Sequence, residues 1–150
     1  MSKANPRSLS RSTARLAAVQ ALYQKQMEGT KLAKLLDEFH QHRLGAEIED
    51  VKFADAEVDF FDDIVTGTLA RQEEIDPLLE ARLAKGWSLA RLDKAMLQIL
   101  RAGTYELLAR TDVPVKAVIN EYVDVAHAFF EEREAKFVNG ILDNLAKEVR

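Results

Sequence analysis

The sequence predicts an all-α protein, a single compact bundle of about seven helices built from residues 1–150. Three observations predict it. Apolar residues recur at steps of three and four nearly everywhere, and no segment shows the alternation of a half-buried strand. Three Pro and six Gly are too few for an all-β chain full of turns. With 47% hydrophobic residues in 150, the chain carries enough apolar material for one core.

The helices follow in order. Leu16, Val19, Leu22, Tyr23 and Met27 mark an amphipathic helix over about 10–28, with Gly29 to stop it. Thr30 is a candidate cap for a second helix with Leu32, Leu35, Leu36 and Phe39 inward, ending near Gly45. Residues 46–55 are acidic and read as a solvated connection. Phe61, Ile64, Val65, Thr68 and Leu69 mark a third helix, and Ile75, Leu78, Leu79 and Leu83 a fourth that stops at Gly86. After Trp87, with Ser88 as candidate cap, a long helix carries Leu89, Leu92, Met96, Ile99, Leu100, Gly103 and Leu107 on one face. Gly103 costs that helix about 1 kcal/mol in propensity, which implies close approach of a neighbouring helix. Asp112-Val113-Pro114 starts the next helix, which buries Val115, Val118, Ile119, Tyr122, Val123, Ala126, Phe129 and Phe130. Val138, Ile141, Leu142, Leu145 and Val149 line the last. The break at Gly86-Trp87 divides the chain into helical halves, 10–85 and 87–150, behind a basic arm of residues 1–9 expected to be mobile.

Several function classes drop out. The chain has no Cys, so disulfides, thiolate zinc sites and thiol nucleophiles are excluded. No glycine-rich phosphate loop is present, and nothing calls for a cofactor. His40 and His42 fall on different sides of a helix and His127 is remote in sequence, so no metal site is expected. The acid pairs Asp62-Asp63, Glu73-Glu74 and Glu131-Glu132 read as solvated helix faces rather than catalytic carboxylates. No apolar run approaches the roughly 18 residues of a membrane span, and a soluble, cytoplasmic protein that is not an enzyme is expected.

Charge distribution gives the better lead. The formal net charge is −4, yet Lys3, Arg7, Arg11, Arg15 and Lys25 precede the first acid, Glu28. An acidic body with a basic amino-terminal segment suits a polyanion binder that avoids indiscriminate sticking. Lys3, Arg7, Arg11 and Arg15 are spaced four apart, so they form one helical ridge with no carboxylate in helical reach, and an RNA partner would relieve their mutual repulsion. A second constellation is Lys94, Gln98, Arg101 and Tyr105, where cations, an amide and a ring would suit a single strand, although Leu97 and Leu108 beside it favour burial of Tyr105. A third is Arg133 with Lys136-Phe137-Val138-Asn139-Gly140, where spacing alone suits Phe137 equally to core packing and to base stacking. Glu106 lies near the apolar face and is expected to pair with a cation or cap backbone donors, while Asn120, Glu121, Asp124 and His127 share the polar face of their helix.

Arg11-x-x-x-Arg15 followed by Ala18-Val19-Gln20-Ala21-Leu22-Tyr23 resembles the amino-terminal signature of the NusB family of transcription antitermination factors. Gly67, Tyr105-Glu106-Leu107, Val113-Pro114-Val115-Lys116 with Ile119-Asn120-Glu121, and Lys136-Phe137-Val138-Asn139-Gly140-Ile141-Leu142 follow in that family's order and spacing, across essentially the whole chain. The resemblance implies a helical bundle of two three-helix-type halves. It also implies binding of boxA RNA in ribosomal RNA transcripts together with the small-subunit ribosomal protein that acts as NusE. Other Nus factors and RNA polymerase would join that complex, with no catalysis and no cofactor. It places RNA contacts on Arg11, Arg15, Lys136 and Phe137, and on Tyr23. Ser12 and Thr13 stand where family members often carry a denser arginine cluster, which implies weaker RNA contact there or more reliance on the partner protein. A monomer and a homodimer are both compatible, the dimer able to hide the basic ridge. The alternative is an RNA-binding or protein-interaction module: the resemblance extends to helical domains joined to ribosomal RNA cytosine methyltransferases, which implies a place in ribosomal RNA processing or modification, and the helix faces alone also suit a module that binds only protein.

Overall fold

The computed structural model describes residues 6–42, 47–48, 51–52 and 57–150, with side chains described for 11–41 and 57–150. Among the described residues the chain runs α1 (Pro6–Glu28), α2 (Leu32–His42), β1 (Glu47–Ile48), β2 (Val51–Lys52), α3 (Val58–Ala70), α4 (Gln72–Glu80), a 3-10 turn at Leu89–Arg91, α5 (Lys94–Ala109), α6 (Val115–Phe129) and α7 (Glu132–Val149). The all-α expectation holds. Within the expected acidic connection, Glu47 pairs with Lys52 and Ile48 with Val51 in a two-residue antiparallel ladder. The basic arm expected at 1–9 is only partly described: α1 already begins at Pro6, and residues 1–5 lie outside the described residues.

Two compact units divide at residues 66/67, not at Gly86-Trp87. The reason is that α4 is tied to α5 and α7. Ile75 and Leu79 are fully buried, Asp76 bonds Arg101 on α5, and Arg82, just after α4, reaches Glu148 on α7 at 3.2 Å. Gly86, at φ +89°, is therefore a turn inside the second unit.

In the first unit α1 packs on α2 through small residues, with Ala14, Ala17, Ala18, Val19, Ala21 and Leu22 buried. Gly29, at φ +70°, ends α1, and Lys25 Nζ donates to Thr30 O at 3.0 Å across the turn. Leu35 and Phe39 of α2 and Phe60, Phe61, Ile64 and Val65 of α3 are buried, with Phe39 and Phe61 stacked at 5.5 Å. Tyr23 and Met27 leave the buried stripe expected of them, at 40% and 55% exposure. α1 turns its alanine face inward instead, so the ring and the thioether face solvent.

In the second unit α5 is the central element, packed by α4, α6 and α7, and every residue from Met96 to Leu107 is buried except the half-buried Arg101. Each Leu or Ile buried this way contributes about 1.5–3 kcal/mol. The helix starts later than expected because Asp93 is the stronger cap: its Oδ1 accepts from Ala95 N at 2.8 Å and Met96 N at 3.2 Å, whereas the Ser88 side chain makes no capping bond. Gly103 makes the anticipated close approach, since a Cβ there would stand 2.9 Å from Leu142 Cδ1. Glu106 takes a partner the sequence did not suggest: the Tyr122 hydroxyl donates to its Oε1 at 3.0 Å, both residues fully buried. On α6, Val125 is buried and Phe129 is not, because the helix ends at Phe129 and the ring stands 42% exposed at the turn into α7. Arg150 closes the carboxyl end of α5, donating to Leu107 O at 2.8 Å, Arg110 O at 2.7 Å, Val113 O at 2.5 Å and Glu106 O at 3.2 Å.

Candidate nucleic-acid interface

The amino-terminal ridge is not a free cationic track. Arg15 is buried, at 3% exposure, with its guanidinium 4.8 Å from the centre of the Phe60 ring. Arg11 lies over the same ring at 4.7 Å, and its Nε donates to Glu57 Oε2 at 3.0 Å. The unpaired, single-sign ridge expected from helical spacing is thus corrected. Its acid arrives from the start of α3, 46 positions along the chain, where no i, i+4 rule looks. Arg7 belongs to α1, but its side chain lies outside the described residues, as does Lys3 altogether. Tyr23 is exposed on α1 and open to stacking.

The constellation on α5 is dismantled as well. Gln98 and Tyr105 are buried, and Arg101 makes a two-pronged bond to Asp76, Nε to Oδ1 at 2.8 Å and Nη2 to Oδ2 at 2.9 Å. Only 11% of the Arg101 side chain is exposed, so this charge is neutralised inside the unit. Lys94 is half-buried at the first turn of α5, where the helix dipole disfavours a cation. These four residues do not form a surface.

The α7 constellation survives as a surface. Ala135, Val138, Ile141, Leu142 and Leu145 face the core, which leaves Arg133, Lys136, Phe137, Asn139 and Gly140 outward on one exposed arc. Arg133 is 92% exposed and only grazes Glu134 at 3.8 Å, a contact worth about 0–1 kcal/mol. Phe137 is 37% exposed, so the structure decides between core and surface in favour of surface. Beside it an open groove of about 150 Å³ runs between α6 and α7, lined by Asn120, Val123, Glu132, Ala135, Lys136 and Asn139. Neither amide nor the Lys136 ammonium has a polar partner among the described residues. The arrangement offers two cations for phosphates, a ring for stacking and two primary amides for base edges. At the start of α4, a hydrogen bond donated by Arg71 holds the Glu74 carboxyl below its ordinary range.

Among the described residues no group of three or more His, Cys, Asp or Glu could hold a metal ion, and no helix is long and apolar enough to cross a membrane.

The model of the NusB family matches residues 12–147. A transcription antitermination protein NusB from Novosphingobium aromaticivorans is 74% identical over 140 residues, covering 93% of this chain and 95% of the relative. This chain belongs to the NusB family. A second such protein, from Sphingopyxis alaskensis, is 66% identical over 146 residues, covering 97% of this chain and 98% of the relative. Among solved structures, NusB of T. maritima superposes with a TM-score of 0.75 at 33% identity, covering 92% of this chain and 91% of that one. A structure of antitermination factors NusB and NusE in complex with dsRNA gives a TM-score of 0.76 at 25% identity, covering 93% of this chain and 97% of that one. Set against the NusB signature, the geometry sorts the shared residues by task. Tyr105 packs on Gly67, and Glu106 holds Tyr122, so those motifs build the second unit. Lys136, Phe137, Asn139 and Gly140 stand on its outer face.

Proposed function

We propose that this chain is a transcription antitermination factor that binds boxA RNA of ribosomal RNA operon transcripts together with the ribosomal protein acting as NusE. The observation that carries this reading is the match to antitermination proteins along nearly the whole chain. The NusB–NusE–dsRNA complex of a structural relative supports the choice of partners. The complex assembles with other Nus factors and RNA polymerase in the cytoplasm. The chain's part is to hold RNA rather than change it. Arg133 and Lys136 take phosphates, and Phe137 stacks a base at about 1–3 kcal/mol. Tyr23 on α1 is a separate stacking position. Arg11, fixed by Glu57, offers its remaining exposed edge, whereas Arg15 would first have to leave Phe60. The acidic remainder of the surface disfavours RNA that lacks the right bases.

A gel-shift series with a boxA RNA and a scrambled RNA, with and without the ribosomal protein, tests this. The expected result is preferential retention of boxA RNA, tighter when the ribosomal protein is present. Capture of the ribosomal protein with no RNA retained, even jointly, would replace this reading with a protein-interaction module.

A further inference from the structure

Four of the five described glycines have a reason visible in the fold. Gly29 and Gly86 sit at positive φ, in turns. Gly67 and Gly103 lie where a Cβ would meet Tyr105 at 2.1 Å and Leu142 at 2.9 Å. Gly140 has neither reason. It lies in the interior of α7, outside the positive-φ set, and a Cβ there would meet nothing within 4 Å. A glycine in a helix interior costs stability relative to alanine, and here no packing offsets that cost. What the missing side chain does provide is an open strip of helix backbone. On a 100° wheel Gly140 falls between Lys136 and Phe137, with Arg133 on the same arc and Asn139 on the far side of Lys136. Asn139 in turn faces Asn120 across the groove between α6 and α7, and both amides lack polar partners among the described residues.

We infer that Gly140 is the point where a single RNA strand lies directly on the α7 backbone, with one unstacked base turned into the Asn120–Asn139 groove. The inference rests on the reading of this face as RNA-binding and adds to it a base-reading subsite. Chemistry favours a nucleobase in the groove over other occupants. Primary amides present a donor and an acceptor side by side, which matches the edge of a base. Glu132, which also lines the groove, repels phosphate and can accept from a base amino or imino group. Lys136 and Arg133 lie on the solvent side, where the backbone of that nucleotide would pass. A bare helix surface allows sugar and phosphate to approach to van der Waals distance.

The test measures thermal stability and affinity for a short single-stranded boxA RNA, with the ribosomal protein present, in Gly140→Ala, Gly140→Leu, Asn120→Ala and Asn139→Ala, beside wild type and Lys136→Ala. Gly140→Ala should raise the melting temperature by about 3 °C while weakening RNA binding. Gly140→Leu should weaken RNA binding by about tenfold or more with no loss of stability, and each Asn→Ala change by about tenfold. A Gly140→Leu protein that binds RNA like wild type while Lys136→Ala is weakened overturns the subsite and leaves the RNA face standing. Wild-type affinity in both Gly140→Leu and Lys136→Ala overturns the subsite and the RNA face together. If Gly140→Leu loses the ribosomal protein rather than the RNA, the occupant is a protein segment and the inference is wrong.

Discussion

Gly67→Ala is expected to lower the unfolding free energy by about 2 kcal/mol or more, although Gly→Ala in an open helix gains about 1 kcal/mol. The new Cβ would stand 2.1 Å from Tyr105 Cζ, 2.3 Å from its Oη and 2.4 Å from its Cε1. Tyr105 is 6% exposed and sits on a helix packed by α4, α6 and α7, so its ring cannot swing away without opening α5's packing. Urea denaturation of Gly67→Ala, Tyr105→Leu and the double variant checks the cause. With the ring removed, Gly67→Ala should recover most of its cost, giving a coupling energy of about 2 kcal/mol. An equal loss in both backgrounds would show that helix geometry, not the Tyr105 contact, demands the glycine.

Replacing Lys136 and Phe137 together by alanine is expected to weaken boxA RNA binding by about 100-fold, with a stability loss of no more than about 1 kcal/mol. Loss of one stacked base accounts for about 1–3 kcal/mol, and loss of a phosphate contact supplies the rest. Lys136 is exposed and Phe137 lies at the edge of the core stripe at 37% exposure, so truncating both costs far less than emptying a core site. Affinity by fluorescence anisotropy at fixed salt and melting by circular dichroism separate binding from folding. A drop in melting temperature that parallels the affinity loss would return Phe137 to the core, against its exposure.

Much of the fold was legible because α1, α2, α6 and α7 each bury one stripe, and a stripe has a period. Residues such as Leu35, Phe39, Val118, Tyr122, Val138 and Leu142 are buried as their spacing requires. The period failed where a helix is packed by three others. In α5 Gln98 is inside along with Thr104 and Glu106, so a wheel that assigns the polar Gln98 to an outward constellation misplaces it. It also failed for charges. Arg11 meets Glu57 and Arg101 meets Asp76 across 46 and 25 positions, separations that leave no repeat in the sequence. The Gly86-Trp87 turn looks like a boundary in the sequence, yet Asp76–Arg101 and Arg82–Glu148 bind the α4 region to the helices after that turn. The α7 face could be read because Phe137 stands at the edge of a clear stripe, with Lys136 and Gly140 beyond it. That Gly140 lacks a packing reason became visible only with coordinates.

If the cations that hold RNA are those left outward on α7, and Arg101 is neutralised inside the second unit, the salt dependence of boxA RNA binding tests that division most directly. Each phosphate neutralised on a single strand contributes roughly 0.7 to the slope of log affinity against log salt, so Arg133→Ala/Lys136→Ala should make that slope shallower by about 1.4. Arg101→Gln should leave it as in the unaltered protein. A slope unmoved by the α7 pair but made shallower by Arg101→Gln would contradict the assignment.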